Sequence, residues 1–488
     1  MTKFLKKLVS GVLIALVTVI TAGSLQANAF DVYPNPERAG AGTPTAPEQA
    51  VVTKHLEMPI GTTPPNTTFT FDFTPLGGAT LPPNIGDLGN IGVATAAAPA
   101  VGSVNAVFTT GTAVILQPAP RADVLRATIH TENALAGVVW PSSGVFVYQV
   151  TERTDTFTNT AREHMYFDTI QYNLFVTIGE APDGTLYVRG SHAWVRDPIT
   201  GANVGPKINP NPWRPGPGPE EGGSDLIFIN RFIRRTDDIP TTPGPGPERP
   251  IIPGPGTAVP GPSGMPNPGV PGGLESALMV SKRVTGSMAS ANSVFTFTGA
   301  FTHTTLVNEV VADPDVANSA VTYGPVVAWV YHNNGTGFVR GRRAPAGTLA
   351  VSYTFTPGTT PGAIGQLTTF ELRHGEVLIF ERIPIGNIFV ATETNSLTYH
   401  PSIDLMVNGQ AITPRAALTA PGTIGTANVG TAPHRIGEAS NIAAFTNTND
   451  PVPITGIIMN NLPIILVTGG GVGLVVMTIA SKRRRAYA

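Results

Sequence analysis

Apolar and polar residues alternate with a period of two at several places along the chain. The clearest runs are Thr68-Phe69-Thr70-Phe71-Asp72-Phe73, Val145-Phe146-Val147-Tyr148-Gln149-Val150 and Tyr172-Asn173-Leu174-Phe175-Val176-Thr177-Ile178. The second half repeats the pattern in Val294-Phe295-Thr296-Phe297-Thr298 and Ile388-Phe389-Val390-Ala391-Thr392. That period belongs to strands with one face against a core. No stretch of the body holds a convincing helical period. Short strands punctuated by Gly and Pro predict an all-β chain of immunoglobulin-like β-sandwiches.

The punctuation also divides the chain. Between Pro240 and Gly273 stand 12 prolines and 9 glycines in 34 residues, a composition that cannot supply a core and predicts an extended linker over 237–273. It separates a first module, 48–236, from a second, 274–449, with an N-terminal segment at 30–47. A further Pro-rich patch, Pro206–Pro219, is expected to form an exposed loop inside the first module.

The two modules share four features in the same order. Each opens with a lysine on an apolar strand, Lys54 and Lys282. Each then carries Phe-Thr-Phe, at 69–71 and 295–297. An aromatic residue follows four positions before a glutamate, Tyr148 to Glu152 and Phe389 to Glu393. Each closes with Phe-x-Asn, ending in Asn230 and Asn447. The repetition predicts two copies of one β-module.

Both ends of the chain carry targeting patterns. Basic Met1–Lys7, apolar Leu8–Leu25 and Ala27-Asn28-Ala29 form a signal peptide over 1–29, with cleavage expected between Ala29 and Phe30. At the other end, Val452-Pro453-Ile454-Thr455-Gly456 precedes an apolar segment, 457–480, and a basic tail, 481–488. Twenty-four helical residues reach about 36 Å, enough to span a bilayer. The terminal cations would stay inside and the body outside. A pentapeptide, a span and an Arg cluster in this order resemble the cell-wall sorting signal of Gram-positive surface proteins, with Val in place of the usual Leu. The resemblance implies sortase as a partner, cleavage after Thr455, and transfer of the threonyl group to an amine. The membrane would then serve only as a sorting intermediate.

Charge and composition narrow the function. Removing the seven cations of the two ends leaves the remainder of the chain at −9, which argues against nucleic-acid binding. There is no cysteine, so disulfides and thiolate metal sites are excluded in an exported protein. The nine histidines are dispersed, and no nucleophile-elbow, zinc-protease or phosphate-loop pattern occurs. A non-enzymatic structural protein without metal or cofactor is expected.

The repeated Lys, Glu and Asn supply a chemistry that suits such a protein. Burial disfavours the charged forms of lysine and glutamate, giving a nucleophilic amine beside a protonated carboxyl. The carboxyl could polarise an asparagine carbonyl and shuttle protons while the amine attacks and ammonia leaves. Taken with Tyr166-Phe167-Asp168-Thr169-Ile170-Gln171-Tyr172 and Ile383-Pro384-Ile385-Gly386, the ordered triplets resemble the pilin isopeptide-linkage domains of Gram-positive pili. The resemblance implies crosslinks Lys54–Asn230 and Lys282–Asn447, promoted by Glu152 and Glu393. Asn441 and Asn449 compete with Asn447 for the second role. It further implies a cell-surface protein whose partners are other pilin subunits or peptidoglycan, and a host ligand. A monomeric wall-anchored adhesin and a basal pilin are the alternatives. Only three lysines lie between the signal peptide and the tail, so Lys207 is the spare amine for joining subunits.

Overall fold

The computed structural model describes residues between 42 and 449, apart from 78–91, 93, 213–223, 237–248, 251–268, 271–276, 313–323, 334–337, 345–346, 359–362, 395–398, 418–425 and 428–434. The signal-peptide junction Ala29/Phe30, the sorting motif Val452–Gly456, the apolar segment 457–480 and the basic tail lie outside the described residues, as does most of the linker. Among the described residues no helix is long and apolar enough to cross a membrane.

The first half contributes β1 (Thr53–Pro59), β2 (Thr67–Pro75), β3 (Val104–Phe108), β4 (Val114–Leu116), β5 (Val124–His130), β6 (Gly144–Glu152), β7 (Glu163–Tyr166), β8 (Tyr172–Glu180), β9 (Leu186–Arg196), β10 (Asn203–Ile208) and β11 (Ile227–Arg234). They form a five-stranded sheet, β4-β5-β1-β11-β7, and a six-stranded sheet, β10-β9-β8-β6-β2-β3. One core joins the sheets, with Leu56, Met58 and Phe228 from the first and Phe69, Phe71 and Tyr148 from the second. Segment 42–48 lies along β9, where Gly42 donates to the Arg189 carbonyl and Glu48 to that of Val188.

A two-residue pair, β12 (Arg249–Pro250) with β13 (Gly269–Val270), falls within the Pro/Gly segment. The second half contributes β14 (Leu278–Thr285), β15 (Phe295–Thr302), α1 (Thr305–Ala312), β16 (Val326–Asn333), β17 (Phe338–Arg340), β18 (Arg342–Ala344), β19 (Gly347–Leu349), β20 (Ser352–Phe355), β21 (Thr368–Leu372), β22 (Glu376–Phe380), β23 (Ile388–Glu393), β24 (His400–Val407), β25 (Gln410–Ala417), β26 (Thr426–Ala427) and β27 (Asn441–Thr448). Its larger sheet runs β17-β16-β22-β14-β27-β24-β25, with β20 also on β16; the smaller runs β21-β15-β23-β26. Val280 and Phe445 of the larger sheet share a core with Phe297 and Phe389 of the smaller.

In both halves the first and last strands pair in parallel. β1 lies beside β11 and β14 beside β27. The crossing between them is made by the intervening chain, as parallel pairing requires.

Two features depart from the sequence pattern. β2 alternates as expected, but β8 is buried on both faces except at Glu180, and β6 is nearly so. Val145, Val147, Phe175 and Trp194 make a second cluster with Leu76, whose amide donates to the Val147 carbonyl. Central strands covered on both sides lose the two-residue signature. The second departure is α1. The Thr304 hydroxyl accepts from the Val307 amide as an N-cap. Val307 and Val310 pack with Ile233 of β11, so the helix of the second half sits on the closing strand of the first.

Other contacts join the halves at the same place. Thr305 donates its amide to Asp123, and Arg121 bridges Glu57 on β1 to Glu309 on α1. Thr236 donates to the Ile383 carbonyl while Ile385 donates to that of Arg234. Glu438 accepts from Thr63 and pairs with Arg234.

Candidate functional site

The parallel pairs fix the site by register. Lys54 stands opposite Phe228, which places Asn230 two residues further along β11 and on the same face. Lys282 stands opposite Phe445, with Asn447 again two residues on. In the facing sheet, Phe71 is paired with Glu152 and Phe297 with Glu393. Each glutamate therefore meets the Lys–Asn face across the core. The side chains of Lys54, Glu152, Lys282 and Glu393 are fully buried, as are Asn230 and Asn447.

Glu152 divides its two oxygens between its partners. Oε2 accepts from Lys54 Nζ at 2.7 Å and Oε1 from Asn230 Nδ2 at 2.7 Å. In the second site, Lys282 Nζ donates to Glu393 Oε1 and Oε2 at 2.9 and 3.0 Å, and Asn447 Nδ2 to Oε1 at 2.6 Å. The Phe-Thr-Phe motif supplies the cover. Lys54 Nζ lies 4.9 Å from the Phe69 ring centre, and Lys282 Nζ lies 4.1 Å from that of Phe295.

This setting changes the proton balance. Desolvation lowers each lysine to about 8, against the pull of its glutamate toward a higher value. Desolvation raises Glu152 above the ordinary carboxylate range, although Lys54 opposes the shift. Both changes at the first site favour passing the proton from Nζ to the carboxyl. The amine is then neutral on one oxygen of the carboxyl, and the carboxyl holds a proton beside the amide nitrogen bound to its other oxygen.

The carbonyl of Asn230 is held differently from the sequence expectation. Glu152 touches the nitrogen of the amide, while Asn230 Oδ1 accepts from the main-chain N–H of Asp168 at 2.8 Å. The group that Asp168 contributes to the site is invisible in the sequence. It is a main-chain N–H and leaves no mark in side-chain order.

The competing asparagines are engaged elsewhere. Asn441 donates to the carbonyls of Gly437 and Ala439, and its oxygen accepts from Asn408 and Gly437. Asn449 donates to the Met288 carbonyl. Phe389 occupies the place of Tyr148, whose hydroxyl donates to the Pro99 carbonyl; a phenyl ring needs no such partner. Lys207 is exposed on β10, the outermost strand of its sheet, and not in a loop. The register shifts between Val204 and Ile208, so Gly205-Pro206-Lys207 is a bulge where a proline costs no ladder bond.

No family model matches the chain, and no curated protein matches it. Among solved structures, the chain is similar to the major pilin from Streptococcus pyogenes, at 15% identity over 83% of this chain and 99% of that one, with a TM-score of 0.27. The major pilin protein T3.2 from Streptococcus pyogenes gives 14% identity over 83% and 99% of the two chains, at a TM-score of 0.27. A pilus-presented adhesin, Spy0125 (Cpa), gives 13% identity over 58% of this chain and 37% of that one, at a TM-score of 0.20.

Proposed function

We propose that this chain is an exported structural subunit of a cell-surface pilus, made of two β-modules that each close an internal Lys–Asn amide bond. The observation that carries the reading is the Lys–Glu–Asn contact, buried and set at the same register in both halves. In the reaction Nζ attacks Cγ of the asparagine, the Cγ–Nδ2 bond breaks, and ammonia leaves with the proton relayed by the glutamate. Each site turns over once, and proximity replaces an enzyme. Glu152 and Glu393 act as proton carriers. No cofactor takes part in this scheme.

The sorting pattern extends the proposal. VPITG, the apolar segment and the basic tail support release from the membrane by sortase, with Thr455 joined to a subunit or to peptidoglycan. Exposure of Lys207 on an edge strand supports its use as the accepting amine.

Intact mass of the secreted protein tests the self-linking. Each bond removes one ammonia, about 17 Da, because the lysine nitrogen replaces the asparagine amide nitrogen on Cγ. Tryptic digestion should yield Lys54–Asn230 and Lys282–Asn447 branched peptides. Recovery of only linear peptides from folded protein would refute the reading.

A further inference from the structure

We propose that the main-chain N–H of Asp168 is an oxyanion donor for the Lys54–Asn230 reaction, that no counterpart donor stands among the described residues of the second module, and that the first crosslink consequently forms well ahead of the second. The inference rests on the self-linking reading and adds the group that polarises the carbonyl.

The geometry at the first site is that of an activated amide. Asp168 N–H donates to Asn230 Oδ1 at 2.8 Å, and Oδ1 is the atom that gains negative charge when Nζ adds to Cγ. Glu152 Oε1 lies on the other end of the amide, 2.7 Å from the nitrogen that must leave. One donor thus holds the developing alkoxide while the carboxyl protonates the leaving amine. Collapse of the alkoxide restores C=O, expels ammonia and leaves the Nζ–Cγ amide; all atoms and charges balance within the triad.

The donor is fixed in place. The Asp168 carboxylate accepts from the amides of Ile170 and Ile229, at 3.0 and 2.8 Å, which ties residue 168 to its own turn and to β11. Strand β7 ends at Tyr166, opposite Arg231, so the chain leaves the ladder just before it would run beside Asn230. The Asp168 N–H is therefore available to a side chain.

The second site differs at this point. Asn447 Oδ1 is buried and has no hydrogen-bond partner among the described residues. Strand β24 does not stop short. It continues past the asparagine, with Pro401 opposite Asn447 and His400 opposite Thr448. Pro401 has no N–H, and the regular ladder commits those of its neighbours. A preorganised donor to a forming oxyanion is worth about 100-fold or more in rate.

Pulse-labelled cell-free synthesis of the full chain, quenched in acid at intervals and digested, follows both branched peptides in one sample. The Lys54–Asn230 peptide should appear at least tenfold faster than Lys282–Asn447. Replacing residue 168 with the corresponding α-hydroxy acid turns its N–H into an ester oxygen. That change should slow the first bond about 100-fold and leave the second unchanged. Equal rates in the unmodified chain, or a faster second bond, would overturn the inference and leave self-linking intact. An ester chain that folds and links at the normal rate would do the same. Absence of both branched peptides would overturn the self-linking reading as well.

Discussion

Asn230 lies two residues beyond the register partner of Lys54, on a strand that runs in the same direction. That offset aims both side chains at one point on the facing sheet, and Glu152 occupies it. Lys282 and Asn447 repeat the offset, with Glu393 at the meeting point. A residue one position off register would point to the other face by the pleat; an offset of two returns Asn230 to the face of Lys54.

Removing the bond should show in stability. A Lys54–Asn230 link closes about 177 residues, and the loop-entropy relation gives on the order of 5 kcal/mol. Asn230→Ala should therefore lower the melting midpoint of the first module by about 10 °C or more, read by calorimetry. A midpoint within two or three degrees of the unmodified protein would contradict the link.

The rate of bond formation should be bell-shaped in pH. The reactive pair, neutral amine plus protonated carboxyl, carries as many protons as the ion pair from which it forms. One further proton on the pair leaves Lys54 charged beside a protonated Glu152 and stops the reaction at low pH, and because that carboxyl is raised by burial the acid limb should begin above its ordinary value of 4.5. Loss of the shared proton stops it as pH rises through about 8, the lowered value of Lys54. Above that point the rate should fall about tenfold per pH unit. A rate that keeps climbing past pH 9 would show that no protonated carboxyl is needed.

Arg121 should matter more than its position near the surface suggests. It pairs with Glu57, which is buried on β1, and with the more exposed Glu309. Burial raises Glu57, but Arg121 and Arg126 outweigh it and hold the carboxyl below its usual range. Its contribution to stability is then present above the unfolded value of 4.5 and is lost as pH falls through the lowered one. Arg121→Ala should cost about 3 kcal/mol at pH 7 and less in acid, while Glu309→Gln should cost about 1 kcal/mol or less. Denaturant melts of the two variants at pH 7 and pH 4 make the comparison.

Sorting and polymerisation separate in two substitutions. Thr455→Ala should leave the protein in membranes or medium, measured by fractionation of the cell wall. Lys207→Arg keeps the charge and removes the usable amine, so wall-anchored single subunits should replace a high-mass ladder on denaturing gels. A ladder unchanged in Lys207→Arg would exclude Lys207 as the joining residue.

Much of the site was legible because it is built from side chains repeated in order. Lys54, Glu152 and Asn230, and their counterparts, could be matched without knowing the fold. The Phe-Thr-Phe pattern had a second meaning that only geometry reveals, since its first ring covers the amine. Helix α1 was not legible. Eight residues give barely two turns, too few for an apolar stripe to repeat. Lys207 was expected in a loop because Pro and Gly flank it, but edge strands accept both at a bulge. The Asp168 contact belongs to the main chain, where residue identity carries little information.

The parallel pairing of first and last strands also decides how each module meets a pull on its two ends. Chain enters β1 at one end of the sheet and leaves β11 at the other, and the same holds for β14 and β27. Stretching such a pair slides the strands past each other, so the ladder bonds are loaded together in shear instead of opening one by one. A covalent tie between Lys54 and Asn230 would carry that load from one strand to the other directly. The roughly 177 residues threaded between them would then lie off the line of force, leaving the rest of the sandwich slack while the fibre stays taut.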